Sequence, residues 1–301
     1  MRNASIAADI QTLATGELQP PRSSSRFWTR LRSERKVLIG LVLLGAFAIL
    51  AIIGPWISPY GPDDNDFGLL VEPSWRHPMG TDSYGRDLFS RVLIGTRVSF
   101  SVGLLAALLA LVVGGLGGMI AGFYGGKIDS VIMRFVELLW SFPVIVLAVG
   151  MVAFFGAGFR NVVVAIAVAY IDDFARIIRA EVLTLREQDF SLAARAIGAR
   201  DRRILSRHLL PNMVAPIIVQ FTFAVGLGIL TESTLTYLGL GVNPSTPTWG
   251  LALNEGRDFI RQAWWISVFP GLAIVTTVLA LNLFGDGLRD ALDVRSVSES
   301  R

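Results

Sequence analysis

Residues 37–57 read VLIGLVLLGAFAILAIIGPWI, 21 positions without a charge. A helix crosses a hydrocarbon layer of about 30 Å with about 20 apolar residues, and inside a bilayer only helices and closed barrels satisfy the backbone. Further apolar stretches follow at 98–123, 131–155, 162–178, 211–237 and 265–284. The chain is 52% apolar and 17% charged, against about 25% charged in an average soluble domain. A water-filled globule of that composition would expose large greasy patches. The expected fold is therefore all-α, a polytopic membrane protein with six transmembrane helices. The fourth stretch is the weakest of the six, with Asp172, Asp173 and Arg176 in its second half. Pro143 and Pro216 predict kinks.

The basic residues predict the orientation, because positively charged loops stay cytoplasmic. With the N-terminus inside, twenty of the 27 lysines and arginines fall on the cytoplasmic side and seven outside. Both termini are expected to be cytoplasmic. The chain then divides into a basic tail (1–36, disordered up to about residue 26), a first helix (37–57), an external loop (58–97), a five-helix core (98–290) and a tail (291–301). The first helix does not read as a cleavable signal, since it is too long and no small-residue cleavage pattern follows it. Trp249, Trp264 and Trp265 read as anchors at the membrane interface.

The chain has no cysteine and two histidines, His77 and His208. Disulfides, thiolate metal sites and cysteine nucleophiles are thereby excluded, and no histidine metal motif exists. The nearest approach to a phosphate-binding loop, Gly122–Lys127 (GFYGGK), has the wrong spacing and follows a membrane span rather than a strand. No catalytic motif is visible, so no cofactor, no metal and no enzymatic role are expected of this chain. The arginines border membrane spans instead of forming a nucleic-acid surface, and no nucleic-acid partner is expected.

Ionisable groups at membrane depth normally face a partner or a water-filled cavity. Arg134 and Glu137 stand at i, i+3 and either pair within their helix or line a gate. Asp172 and Asp173 are within helical reach of Arg176 and are expected to be neutralised by Arg176 or Arg179; the rival is that one of them lines a translocation path. Glu232 either faces that path or pairs with a second subunit. Gly114, Gly118 and Gly122 form consecutive small-xxx-small steps and predict close helix packing.

The sizeable cytoplasmic loop, 183–210, carries Phe190, Ala193, Ala194 and Ile197 at helical spacing, a stop at Gly198, then Ile204, Leu205, His208 and Leu209 before Leu210-Pro211. On the residues alone this is a pair of short helices, resting on membrane lipid or docking into a protein. Ala193-Ala194, Gly198 and Leu210-Pro211 resemble the EAA loop of permeases from binding-protein-dependent ABC importers, with Leu192 where the family has glutamate and His208 where it has isoleucine. Three further segments resemble the C-type permeases of its peptide, nickel and glutathione branch. They are Gly80–Asp87 (GTDSYGRD) with Ser90-Arg91 and Gly95-Thr96-Arg97; Leu235–Gly241 (LTYLGLG) with Pro244, Pro247 and Trp249-Gly250; and Asn282–Asp293 (NLFGDGLRDALD), followed by Val294 in place of the usual proline. The resemblance runs from about Arg26 to Asp293.

That resemblance implies a type I ABC importer permease fold in a bacterial plasma (inner) membrane. Phe190, Ala193, Ala194, Ile197, Gly198, Leu210 and Pro211 would form the coupling helix and its flank, seated on a cytoplasmic ATPase. The implied partners are a second, B-type permease, two ABC ATPase subunits or domains that carry the ATP and Mg, and an extracytoplasmic substrate-binding protein. Di- or oligopeptides are the expected cargo, with nickel chelates and glutathione as competitors. Two other classes stay open on the residues: an ion-gradient transporter with Asp172 or Asp173 carrying a proton, and a non-transporting scaffold.

Overall fold

The computed structural model describes residues 34–243 and 245–292. The tail up to residue 33, Pro244, and residues 293–301 lie outside it, and with them the tail predictions and the last residue of the C-terminal motif. Among the described residues the protein is all-helical, with one isolated bridge between Thr81 and Asp87.

Helix α1 (Arg35–Ile57) covers the first apolar run. Helix α2 (Leu88–Tyr124) begins ten residues before its apolar run, because Asp87 caps it by accepting from the Ser90 backbone N–H. Helices α3 (Gly126–Trp140) and α4 (Val144–Phe155) divide the third run and meet at a bend of 88°. Pro143, which lacks an N–H and cannot continue a helix, sits at that break. The fourth run is also divided, into α5 (Phe159–Ala169) and α6 (Ile171–Arg186), hinged at Tyr170. The break places Asp172 and Asp173 in the first turn of α6, where the positive end of a helix favours carboxylates.

After the short α7 (Asp189–Ala196), helix α8 runs unbroken from Asp201 to Tyr237. Pro211 takes the second position of the α-helical stretch Leu210–Tyr237, as expected of a proline that opens a span, but the chain before it is already helical. Its ring displaces the preceding turn, and residues Leu205–Leu209 widen into a π-turn that carries the helix past it. The Asn212 side chain donates to the His208 carbonyl at 2.6 Å. Pro216 leaves α8 continuous as well. A short α9 (Trp249–Gly256) and α10 (Trp265–Leu292) complete the order. Helices α1, α2, α8 and α10 are each long and apolar enough to cross a membrane, and α3 with α4 makes a fifth span if the bent pair is counted as one.

Helix α2 is the axis of the bundle. It packs along α6, α8 and α1, while α10 packs on α1 and α8. Two of the expected interface anchors are core residues. Trp249 is fully buried, its indole N–H donating to the Val92 carbonyl at 3.2 Å, and Trp265 donates to the Thr81 carbonyl at 3.1 Å. Both indoles tie the external segments to the bundle, because a buried N–H must find an acceptor. Trp264 is the exposed one.

Candidate functional site

An elbow is built by α7 and the start of α8. Helix α7 ends in a Schellman motif: Gly198 has φ +78°, its N–H donates to the Arg195 carbonyl at 2.9 Å, and the Ala199 N–H donates to the Ala194 carbonyl at 3.0 Å. Only glycine takes that backbone conformation without strain. Inside the elbow, Ala194, Ile204, Leu209 and Met213 pack on Phe123, Ile178, Val182 and Leu185, with Phe190 alongside. The Ser191 hydroxyl donates to the Leu185 carbonyl at 2.8 Å, and the Arg195 guanidinium lies 5.3 Å from the centre of the Phe123 ring.

The outer side of the elbow is bare. Ile197 is 85% exposed, Leu192 50%, and a side chain at Gly198 would meet nothing within 4 Å. The apolar stripe foreseen for this loop is therefore split, with Ala194 and Phe190 turned to the bundle and Ile197 turned away. Phe190, Ala193, Ala194, Ile197 and Gly198 nonetheless line one cavity of about 540 Å³, closed on its far side by Arg203 and His208. Leu210 and Pro211 do not reach it; both stand exposed further along α8.

The glycine stripe of α2 lies against the backbone of α6. A Cβ at Gly114 would strike the Ile171 carbonyl oxygen, one at Gly118 the Ala175 carbonyl oxygen, and one at Gly122 would lie 2.9 Å from the Arg179 carbonyl oxygen. The three contacts advance four residues at a time on both helices, so the two backbones run in register. The Arg186 guanidinium fastens the end of this seam next to the elbow by donating to the Gly122 carbonyl at 2.7 Å.

The intramembrane charges are arranged differently from the sequence expectation. Among the described residues Arg134 and Glu137 form no ion pair; both are exposed and line a cleft of about 430 Å³ with Asp129 and Arg179. An exposed i, i+3 pair gains too little to hold two long side chains in place. Among the described residues Asp172 and Asp173 make no ion pair either. Arg179 is engaged by Asp129 in two hydrogen bonds of 2.6 Å, and the Arg176 guanidinium lies 4.1 Å from the centre of the Trp140 ring. Asp172 is buried and Asp173 half-buried. Glu232 faces neither an open path nor a free surface. It is fully buried within this chain, accepting from the Thr236 hydroxyl at 2.9 Å and the Ser233 hydroxyl at 3.4 Å.

One cluster escaped the sequence reading. Asp82, in the GTDSYGRD segment, is fully buried and accepts from the backbone N–H groups of Tyr84 and Arg86 and from the Arg86 guanidinium. Arg86 also donates to Glu255 at 2.7 Å, so the loop between α1 and α2 is clamped to α9. Burial works to lower the Arg86 pKa, but Glu255 and Asp82 outweigh it and hold the guanidinium above its ordinary value. Arg91 stands 3.5 Å from Asp82 and 3.6 Å from Glu255, an ion-pair distance without hydrogen-bond alignment for those nitrogens. His77 reaches Asp87 at 2.8 Å. The signal was the density of charge in GTDSYGRD and Ser90-Arg91. Its partner, Glu255, is 169 residues from Arg86 and has no local signature.

Comparison with known proteins bears on this arrangement. Residues 114–297 match the family described as binding-protein-dependent transport system inner membrane component, and residues 24–73 match the N-terminal TM domain of oligopeptide transport permease C. The chain is 45% identical over 270 residues to the glutathione transport system permease protein GsiD of Pectobacterium atrosepticum, covering 89% of each. It is 41% identical over 271 residues to the dipeptide transport system permease protein DppC of Alkalihalophilus pseudofirmus, again 89% of each. Among solved structures it is similar to a chain of the MetNI methionine ABC transporter in an inward-facing form. That match has a TM-score of 0.53 at 19% identity and covers 65% of this chain and 94% of the other.

Proposed function

The chain belongs to the family of binding-protein-dependent transport system inner membrane components, and from that premise we propose that it forms half of the translocation path of a peptide importer. It is a permease subunit of an ABC importer. The names of its relatives, a dipeptide and a glutathione permease, favour short peptides and peptide-like molecules as cargo. The proposed assembly pairs it with a second, B-type permease, two ATPase subunits or domains that bind ATP and Mg, and an extracytoplasmic binding protein. Counting α3–α4 and α5–α6 as one span each gives six, and the arginine distribution puts both termini in the cytoplasm.

The observation that carries the mechanism is the elbow. It is glued to the ends of α2, α6 and α8 on one side, and on the other it offers Leu192 and Ile197 beside a cavity of about 540 Å³. A push on this rigid projection is passed to the helices that hold it, and the bundle rocks between inward- and outward-facing states. Arg134 and Glu137 would line the cytoplasmic mouth. An ion-gradient mechanism has less to stand on, since the family and the named relatives are permeases of binding-protein-dependent systems.

The test is co-purification of the tagged protein from bacterial membranes in mild detergent, with uptake assayed alongside. Gly198→Trp puts bulk at the elbow, and Ile197→Asp places a charge at an exposed position that folding does not need. Wild type is expected to bring down ATPases and a second permease, and both variants to lose or uncouple the ATPases. Retention of ATPase and of uptake by both variants would overturn the role of the elbow.

A further inference from the structure

A second cavity, of about 540 Å³, opens where α6, α8 and α10 converge, and it is lined by Glu181, Pro216, Gln220, Phe223 and Arg289 among others. Glu181 lies near the end of α6 that leads to the elbow, so the cavity opens on the cytoplasmic side. Gln220 lies ten residues beyond Leu210, about 15 Å along the helix at 1.5 Å per residue, so the cavity reaches roughly to mid-membrane. From there the same face of α8 continues outward at helical spacing through Leu227, Leu230 and Tyr237, which are 46%, 44% and 39% exposed. The cavity is thus the inner end of a stripe that this chain leaves uncovered along the whole helix.

Its charges are of opposite sign and do not meet. Among the described residues Glu181 and Arg289 form no ion pair with each other, and neither head group, nor the Gln220 amide, has a hydrogen-bond partner. Arg289 is exposed and Glu181 and Gln220 are half-buried, so all three side chains are free to engage a molecule seated in the cavity. A cation would satisfy only Glu181, an anion only Arg289. A molecule with an ammonium at one end, a carboxylate at the other and amides between them satisfies all three. A volume of 540 Å³ corresponds to a sphere about 10 Å across, and an extended chain advances about 3.5 Å per residue, which matches two or three residues.

We propose that this cavity is a transit subsite for a zwitterionic di- or tripeptide, with Arg289 taking the carboxylate, Glu181 the ammonium and Gln220 a peptide group. The assignment rests on the peptide-import reading and adds a site within the permease that recognises both chain ends.

The binding protein selects cargo first, so the test uses the complete permease–ATPase complex in lipid nanodiscs without it, free of nucleotide. Binding of trialanine, N-acetyl-trialanine and trialanine amide is measured by equilibrium dialysis. In wild type, blocking either end is expected to weaken binding at least tenfold. Glu181→Gln should abolish the penalty for N-acetylation and keep that for the amide; Arg289→Gln should do the reverse. Each variant carries its own control, because the retained penalty reports an intact cavity. The subsite is overturned if both penalties persist in both variants. It is also overturned if wild type binds none of the three while the same complex, given its binding protein in liposomes, imports trialanine. If that complex imports no peptide at all, the peptide reading itself falls, and the subsite with it.

Discussion

Replacing Gly118 by alanine puts one methyl group between α2 and α6. In a free helix the change is favourable, by up to about 1 kcal/mol of helix propensity. Here the new Cβ would strike the Ala175 carbonyl oxygen and lie 2.9 Å from its Cα. An ordinary carbon–oxygen contact is about 3.3–3.6 Å, so the helices must part by several tenths of an ångström or more along a seam that also holds Gly114 and Gly122. Overpacking of that kind costs about 1–3 kcal/mol. Subtracting the full propensity gain leaves a net loss of up to about 2 kcal/mol, and a chain of this size loses about 2–4 °C of Tm per kcal/mol. Gly45 in α1 is the control, because a Cβ there meets nothing within 4 Å and alanine should be neutral or stabilising. The measurement is the temperature at which half of the detergent-solubilised protein loses its monodisperse elution peak. Gly118→Ala is expected to fall by up to about 8 °C below wild type and Gly45→Ala to stay level or rise, so that Gly118→Ala melts below Gly45→Ala. A Gly118→Ala protein at least as stable as Gly45→Ala would refute the close-approach reasoning.

Two further outcomes follow from the external clamp and the buried indole. Arg86→Gln takes the guanidinium hydrogen bonds from Asp82 and Glu255 and leaves Arg91, 3.5 and 3.6 Å away, as their counter-charge, a loss of up to about 3 kcal/mol; folded yield and protease resistance of the loop between α1 and α2 should drop. Arg86→Lys should restore little, since a single ammonium cannot bridge two carboxylates as the guanidinium fork does. Trp249→Phe should cost only about 1 kcal/mol, because the Val92 carbonyl keeps the Thr96 hydroxyl as a donor at 2.9 Å, whereas Trp249→Ala should cost about 3–5 kcal/mol through the cavity it leaves. The same thermal assay separates the two.

The apolar runs, the loop at 183–210 and the glycine spacing of α2 were legible because each is a local pattern that solvent or helix geometry reads directly. A stretch such as 37–57 has no alternative to a spanning helix, and Gly114, Gly118 and Gly122 fall on one face whatever surrounds them. Gly198 announced a helix stop because only glycine ends a helix so cheaply. What failed were statements about partners. The spacing of Arg134 and Glu137, or of Asp173 and Arg176, says that two side chains can meet; it does not say that Asp129 and Trp140, brought in by α3, will compete for Arg179 and Arg176. Trp249 and Trp265 read as interface anchors because the carbonyls of Val92 and Thr81 that accept their indoles are more than 150 residues away. Glu232 looked available to a path until α2 and the segment before α9 closed over it. Sequence alone determined which segments must leave water and where the chain must turn, since hydration and backbone sterics act residue by residue. Only the tertiary structure decided which charges are paired, which glycines touch a carbonyl and which cavities hold unpaired groups, because those depend on distances between helices that no local pattern encodes.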